Sequence, residues 1–252
     1  MQVRLRMIKE TILLFFIGHF LGDYYFQTDK SVKNQSEKSV IRHSVIYAIL
    51  QFLIILPVFN WFVLLASAFI SMTHFIIDYI KFKYKQKQSI TYERTVFIYI
   101  IDQVLHWMII ILSNGFLKYN QIAIQYLSFL QKVIINLQLN TELLLSWLLI
   151  LLVIYRPASI TIRVVLDYFE PKNKQTEDLG IPSAGALIGI FERLIILMML
   201  YVGQYTAIGF VLTAKSVARY NKISEEPQFA EYYLLGTLLS SLLVIVSYYL
   251  IF

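Results

Sequence analysis

The chain has 252 residues, of which 58% are hydrophobic and 15% charged, with a mean hydropathy of +0.64. That leaves too little charge to cover a soluble domain of this length. The net charge of +6 raises nucleic acid as a partner, but the lysines fall in the loops between apolar runs, which fits loops facing anionic lipid and speaks against nucleic acid. Cysteine is absent, which excludes disulfides, thiolate metal sites and cysteine catalysis.

Apolar runs fall at 11–28, 41–57, 60–81, 95–113, 142–164, 183–203, 204–220 and 231–252, against the ~20 residues that a span requires. They predict an all-α, polytopic transmembrane helical bundle of about seven or eight membrane helices. The first and seventh runs are short or interrupted. Arg4, Arg6 and Lys9 followed by an apolar run have the outline of a secretory signal. No small-residue cleavage site follows, and the run carries His19 and Asp23, so a retained helix is expected. Pro57 and Asn60, then Pro171 to Pro182, supply turn chemistry between runs. Segment 116–140 has apolar residues at helical spacing with Lys118, Asn120, Gln121, Gln125, Gln131 and Lys132 between them, a pattern for an amphipathic helix on the bilayer surface or a short loop helix. The organisation expected is a His/Asp-rich four-helix membrane region over 1–113, a surface helix or loop over 114–141, and a C-terminal membrane-helix region over 142–252.

Basic loops set the orientation. Lys30, Lys33, Lys38 and Arg42 lie in the linker 29–42, and Lys81, Lys83, Lys85, Lys87 and Arg94 in 81–94. Arg156, Arg163, Lys172 and Lys174 flank a third basic region, and Lys215, Arg219 and Lys222 mark a fourth. Placing all four in the cytoplasm makes the alternation self-consistent and puts the N-terminus outside. The charges at Arg4, Arg6 and Lys9 oppose that, so either the first run enters without crossing or the later loops dominate. The expected location is a bacterial cytoplasmic (inner) membrane, crossed several times, with the lipid bilayer as the chief partner.

All four histidines, His19, His43, His74 and His106, lie inside or at the edge of apolar runs. Three have an aspartate four positions away: His19 with Asp23, His74 with Asp78, and His106 with Asp102. Four residues is one helical turn, so each pair shares a helix face. With six aspartates in the chain, chance supplies such a partner for roughly 5% of histidines. Ionisable side chains inside a membrane are costly and face a partner or a wet cavity. At ~1.5 Å per residue, the assumed orientation puts all seven within about three turns of the cytoplasmic boundary.

Imidazole nitrogens and carboxylate oxygens are ligands for zinc, manganese or iron. The expected metal set is His19, Asp23, His43, His74, Asp78, Asp102 and His106, holding one or two divalent ions or one ion with aspartates that orient the histidines. Asp23 and Asp102 are the candidate catalytic carboxylates. Arg42 and Lys81 are candidate phosphate-binding residues, because each adjoins the cluster in sequence. The chemistry expected is metal-dependent hydrolysis, acting on a phospho-ester of a lipid or membrane-anchored substrate at the cytoplasmic leaflet. Three rivals stand beside it. One is a transporter or proton/cation conductor using the same residues as a relay, against which few polar residues continue the cluster outward. Another is a scaffold with a structural metal. The third, bis-histidine haem, does not need an aspartate at every turn.

Gly18 and Gly22 bracket His19 in a small-xxx-small pattern that lets a second helix approach closely, and Gly185 and Gly189 repeat it. Glu192 and Arg193 are expected to form interhelical pairs, Lys215 and Arg219 to snorkel to the inner surface, and Glu231 to start the last helix.

GHFLGDYYFQTD at 18–29, RHSVIYA at 42–48, HFIIDYIK at 74–81 and DQVLHW at 102–107 resemble the membrane-protein family of bacteria and phages catalogued as domain of unknown function 3307. The likeness covers about the first 110 residues. The arrangement is more distantly similar to membrane-bound metal-dependent hydrolases that were themselves assigned from motifs. GALIGIFERLIIL with GQYTAIGFVLTAKSVAR is similar to longer members of the first family. The resemblance implies a metal site at the seven residues above and supplies no substrate.

Overall fold

The computed structural model describes residues 2–27, 36–87, 91–167, 169 and 184–252, all helix and turn with no strand among them. The linker segments 28–35 and 170–183 lie outside those residues, with Lys30, Lys33, Lys172, Lys174 and the Pro171–Pro182 stretch, as do 88–90. Two compact units divide the chain, Met1–Leu152 and Val153–Phe252.

The first unit opens with α1 (Gln2–Phe20), which runs on into a π-helical turn at Leu21–Tyr25. After it come α2 (Glu37–Ile55), α3 (Trp61–Lys87) and α4 (Tyr92–Tyr119). Each packs on the next, and α4 packs back on α1, which closes a four-helix bundle. Local chemistry sets the ends. Ser36 caps α2 by accepting from the Ser39 amide, and the Asn60 carboxamide accepts from the Phe62 amide at the start of α3. Pro57 lies in the 3-10 turn between them, as the turn chemistry predicts.

The helices are apolar on their outer faces, and inside them polar groups are buried beside an apolar core of Phe15, Ile55, Val63, Ile70 and Ile110. Ile41, Val45, Ile49 and Leu53 form an exposed stripe along α2, one residue per turn, while His43, Tyr47 and Gln51 are buried on its other face. α3 repeats this, with Leu65, Phe69, Met72, Ile76 and Ile80 exposed and Ser67, His74 and Asp78 buried. Continuous apolar exteriors of this extent are a membrane signature. Six helical segments among the described residues are long and apolar enough to cross: Glu37–Val58, Trp61–Lys87, Tyr92–Tyr119, Thr141–Leu166, Gly185–Val202 and Pro227–Ile251. They mark a multi-pass membrane protein.

Two of the expected runs fall outside that six. α1 is long enough, but Arg4, Arg6, Lys9 and Glu10 fill its first half. The seventh run yields only 13 helical residues, because Gly203, at φ +76, and Gln204 break the chain before Tyr205. Of 116–140, the first four residues extend α4 and only α5 (Ser128–Asn136) is helical besides, with no buried residue.

α6 (Thr141–Tyr155) follows, its Thr141 and Glu142 tied to Glu10 and Lys9 of α1. In the second unit, α7 (Pro157–Leu166), α8 (Ala184–Val202), α9 (Tyr205–Val217), α10 (Tyr220–Glu225) and α11 (Pro227–Ile251) follow in order. α11 packs on α7, α8 and α10, and α9 on α8. The last helix starts at Pro227, with proline in the first turn where its missing N–H costs nothing, so Glu231 lies one turn inside it.

Candidate metal centre

The bundle brings all seven sequence-selected His and Asp residues into one cluster, each under a tenth exposed. His19 and Asp23 come from the end of α1 and its π-helical turn, His43 from α2, His74 and Asp78 from α3, and Asp102 and His106 from α4. The π-helical turn, closed by the Phe26 amide on the Leu21 carbonyl at 3.2 Å, lies on Asp23 itself. Such turns occur mostly singly and often at functional sites.

Close approach of α1 and α2 makes this possible. A Cβ on Gly22 would stand 2.6 Å from Tyr47 Cδ2 and 3.3 Å from Tyr47 Cα, and one on Gly18 would stand 2.3 Å from Gln51 Oε1. At Gly22 the Tyr47 ring and backbone leave no room for a Cβ, as the small-residue pattern predicts, whereas at Gly18 a Cβ would have to displace the end of the Gln51 side chain.

Four imidazoles pack together. His74 lies 4.1 Å from His106 between ring centroids, 5.5 Å from His43 and 5.9 Å from His19. Three overlapping groups offer ligand atoms within 4.8 Å of one another: His19, Asp23, His74 and His106; Asp23, His43, His74 and Asp78; and Asp78, Asp102 and His106. His43 Nε2 stands 3.3 Å from Asp23 Oδ1 and 3.4 Å from Asp78 Oδ2; His74 stands 3.6 and 3.5 Å from the same two oxygens, through Nε2 and Nδ1. Nitrogen and oxygen ligands 2.0–2.1 Å from a tetrahedral ion lie about 3.3–3.4 Å from each other. The His–Asp separations are thus close to ligand spacing and longer than good hydrogen bonds. Both ring nitrogens of His106, and His19 Nε2, are buried with no hydrogen-bond partner.

Lys81 lies at the same end of the bundle. Its Nζ donates to Asp102 Oδ1 at 2.8 Å and forms an ion pair with Asp78 Oδ1 at 2.6 Å. Arg42 is exposed on α2. Three carboxylates lie in this buried site, with one ammonium, Lys81, set against two of them. A divalent cation would offset carboxylate charge there.

Residues not selected from sequence complete the centre. Gln103 Nε2 donates to Asp23 Oδ2 at 2.9 Å and to Asp102 Oδ2 at 3.3 Å, bridging the two candidate catalytic carboxylates. The Tyr47 hydroxyl lies 3.3 Å from His19 Nδ1, and its ring stacks on His74 at 3.7 Å. Tyr47 is four residues after His43, the same spacing that selected the aspartates.

A second buried polar layer also came without warning from the sequence. Gln51, Ser67, Ser113 and Asn114 are each under a tenth exposed. They lie seven or eight residues from the histidine on their own helix, about 10–12 Å farther from the cluster end. Glu10 of α1, fully buried and bonded to the Thr141 hydroxyl, is nine residues from His19.

No curated protein and no solved structure matches the chain. The more distant likeness to metal-dependent hydrolases therefore finds no support in these comparisons. Residues 11–135, which include the whole seven-residue cluster, match the model of a family described as protein of unknown function (DUF3307).

Proposed function

We propose that the four-helix unit is a membrane-embedded, metal-dependent hydrolase of a bacterial inner membrane, opening to the cytoplasmic leaflet. The observation that supports it best is the trio of overlapping, buried ligand groups, whose three carboxylates have one ammonium, Lys81, set against two of them. His19, His74 and His106 with Asp23 would hold zinc, manganese or iron, with room for a second ion at Asp78 and His43. A divalent ion there would supply Lewis acidity and lower the pKa of a water molecule. Asp102, held by Lys81 and Gln103, is the carboxylate that would serve as base toward such a water. Lys81 keeps one donor for a phosphoryl oxygen, which favours a phospho-ester on a lipid or membrane-anchored substrate. Arg42 would meet a phosphate only at the bundle surface.

The test is metal content by elemental mass spectrometry on full-length protein in nanodiscs, wild type against His74→Ala and Asp102→Asn, followed by phosphate release from phosphatidic acid. Stoichiometric metal lost with His74→Ala, and turnover lost with Asp102→Asn, is the expected result. No metal after resupply overturns the reading. Metal without turnover on a panel of phospho-esters leaves a structural ion.

The second polar layer favours one alternative, a cation or proton path through the same bundle. Glu10, Gln51, Ser67, Ser113 and Asn114 continue the polar lining outward from the histidines on all four helices. Flux in proteoliposomes under a pH gradient distinguishes it from hydrolysis.

A further inference from the structure

The second unit holds a cavity of about 390 Å³ that the metal centre does not involve. Among the described residues, four cations line it, Arg163, Arg193, Lys215 and Arg219, against one carboxylate, Glu192. Lys215 does not snorkel as expected. Its Nζ turns inward to Glu192 Oε2 at 2.5 Å and Thr237 Oγ1 at 3.0 Å, so the Glu192 carboxylate already has a cationic partner. Arg193, buried in a membrane-crossing helix, gives Nε to the Ile154 carbonyl at 2.7 Å and Nη2 to Ser159 Oγ at 2.6 Å. Its Nη1 lies beside Gly189, 3.4 Å from where a Cβ would stand. Arg163 and Arg219 are exposed, and the Ser240 hydroxyl on the cavity wall is buried with no hydrogen-bond partner. The surplus charge among the described lining residues is therefore positive.

Position and size narrow the ligand. The lining comes from α7, the first half of α8, the end of α9 and the first half of α11; Arg163, Arg219 and Phe229 lie at helix ends, where headgroups lie, and Arg193, nine residues into α8, lies deeper. Ile162, Leu166 and Phe229 add apolar wall, and the volume suits a small organic group better than a bare ion. Basic pockets between membrane helices bind anionic headgroups.

We propose that this cavity binds a phosphate group carried on a lipid, an anionic phospholipid headgroup held by Arg163, Arg193 and Arg219. The proposal does not rest on the hydrolase reading. Full-length protein is placed in phosphatidylcholine nanodiscs with or without phosphatidic acid, and bound lipid is counted by native mass spectrometry. A second arm measures radiolabelled inorganic phosphate in phosphatidylcholine alone. Two variants accompany wild type: Arg163→Gln/Arg219→Gln, at exposed positions, and Gly185→Leu, which adds a side chain at a lining glycine with no atom within 4 Å of where its Cβ would stand. Retention of phosphatidic acid should fall roughly thirtyfold in the arginine variant, two surface cations' worth, and comparably in Gly185→Leu. Inorganic phosphate binding that both variants abolish would keep the phosphate site and overturn the lipid as its source. Equal retention by wild type and both variants overturns the proposal.

Discussion

His74 of α3 and His106 of α4 stack with ring centroids 4.1 Å apart and planes 12° from parallel. Each belongs to two of the three ligand groups, so this one pair joins all of them. Loss of a partner that merely orients a ligand costs 10–100-fold in metal affinity. His74→Ala and His106→Ala should each cost at least about 100-fold, and the double variant far less than the product, because contacting residues in one network do not act independently. Metal titration of the three variants checks this. Strictly multiplicative losses would mean two separate sites.

Lys81 carries the charge balance. Its side chain is 20% exposed and bonds both Asp78 and Asp102. Removing one partner of a buried pair costs about 3–5 kcal/mol, and the partial exposure puts Lys81→Met toward the low end. The variant should melt earlier than wild type in chelator, yet gain more stability from added divalent metal, since the ion takes over the neutralisation of both aspartates. Thermal melts with and without metal give the comparison. Equal metal stabilisation in the two proteins would show that Lys81 and the ion do not share these carboxylates.

The cluster was legible because helical periodicity converts a spacing of four residues into a shared face. His19–Asp23, His74–Asp78 and Asp102–His106 are all of that form, and the basic loops put them at one end. Gln103 and Tyr47 stood inside the same motifs but went unselected, since an amide or a phenol in an apolar run carries little of the cost that makes a buried charge conspicuous. The polar layer of Gln51, Ser67, Ser113 and Asn114 was missed for that reason too. Lys215 was misread because its partner, Glu192, is on another helix, 23 residues away. Local spacing holds no information about such a pair. Six described helices meet the length and composition of a span, and the two further runs fall short where charge crowds α1 and where Gly203 takes a positive φ that ends one helix and starts another.

Gly22 is a second point of sensitivity. Its missing Cβ would stand 2.6 Å from the Tyr47 ring and 3.3 Å from the Tyr47 backbone, so an alanine has to push α2 away. Overpacking of this kind costs about 1–3 kcal/mol. Because Tyr47 also touches His19 and His74, Gly22→Ala should weaken metal retention as well as stability. Gly115→Ala is the control, with nothing within 4 Å of its Cβ, and should change neither. Metal retention that survives Gly22→Ala intact would separate the helix contact from the centre.

The polar layer separates hydrolysis from conduction. Asn114 is buried with its Oδ1 unpartnered, and Gln51 is buried with both side-chain polar atoms in the same state. A buried polar group without a partner costs about 1–3 kcal/mol, so Asn114→Leu and Gln51→Leu should leave stability level or raised. Both lie about 12 Å from the histidine on their own helix, so metal content should stay at the wild-type value. A cation path through the bundle has to cross this layer, and an apolar plug there should lower flux at least tenfold, whereas hydrolysis at the cluster should continue unchanged. Parallel assays on one preparation, flux in proteoliposomes and phosphate release from lipid, give the answer. Flux lost with turnover intact would show that the bundle conducts and that hydrolysis is a separate activity; turnover lost with metal retained would tie the outer layer to the chemistry.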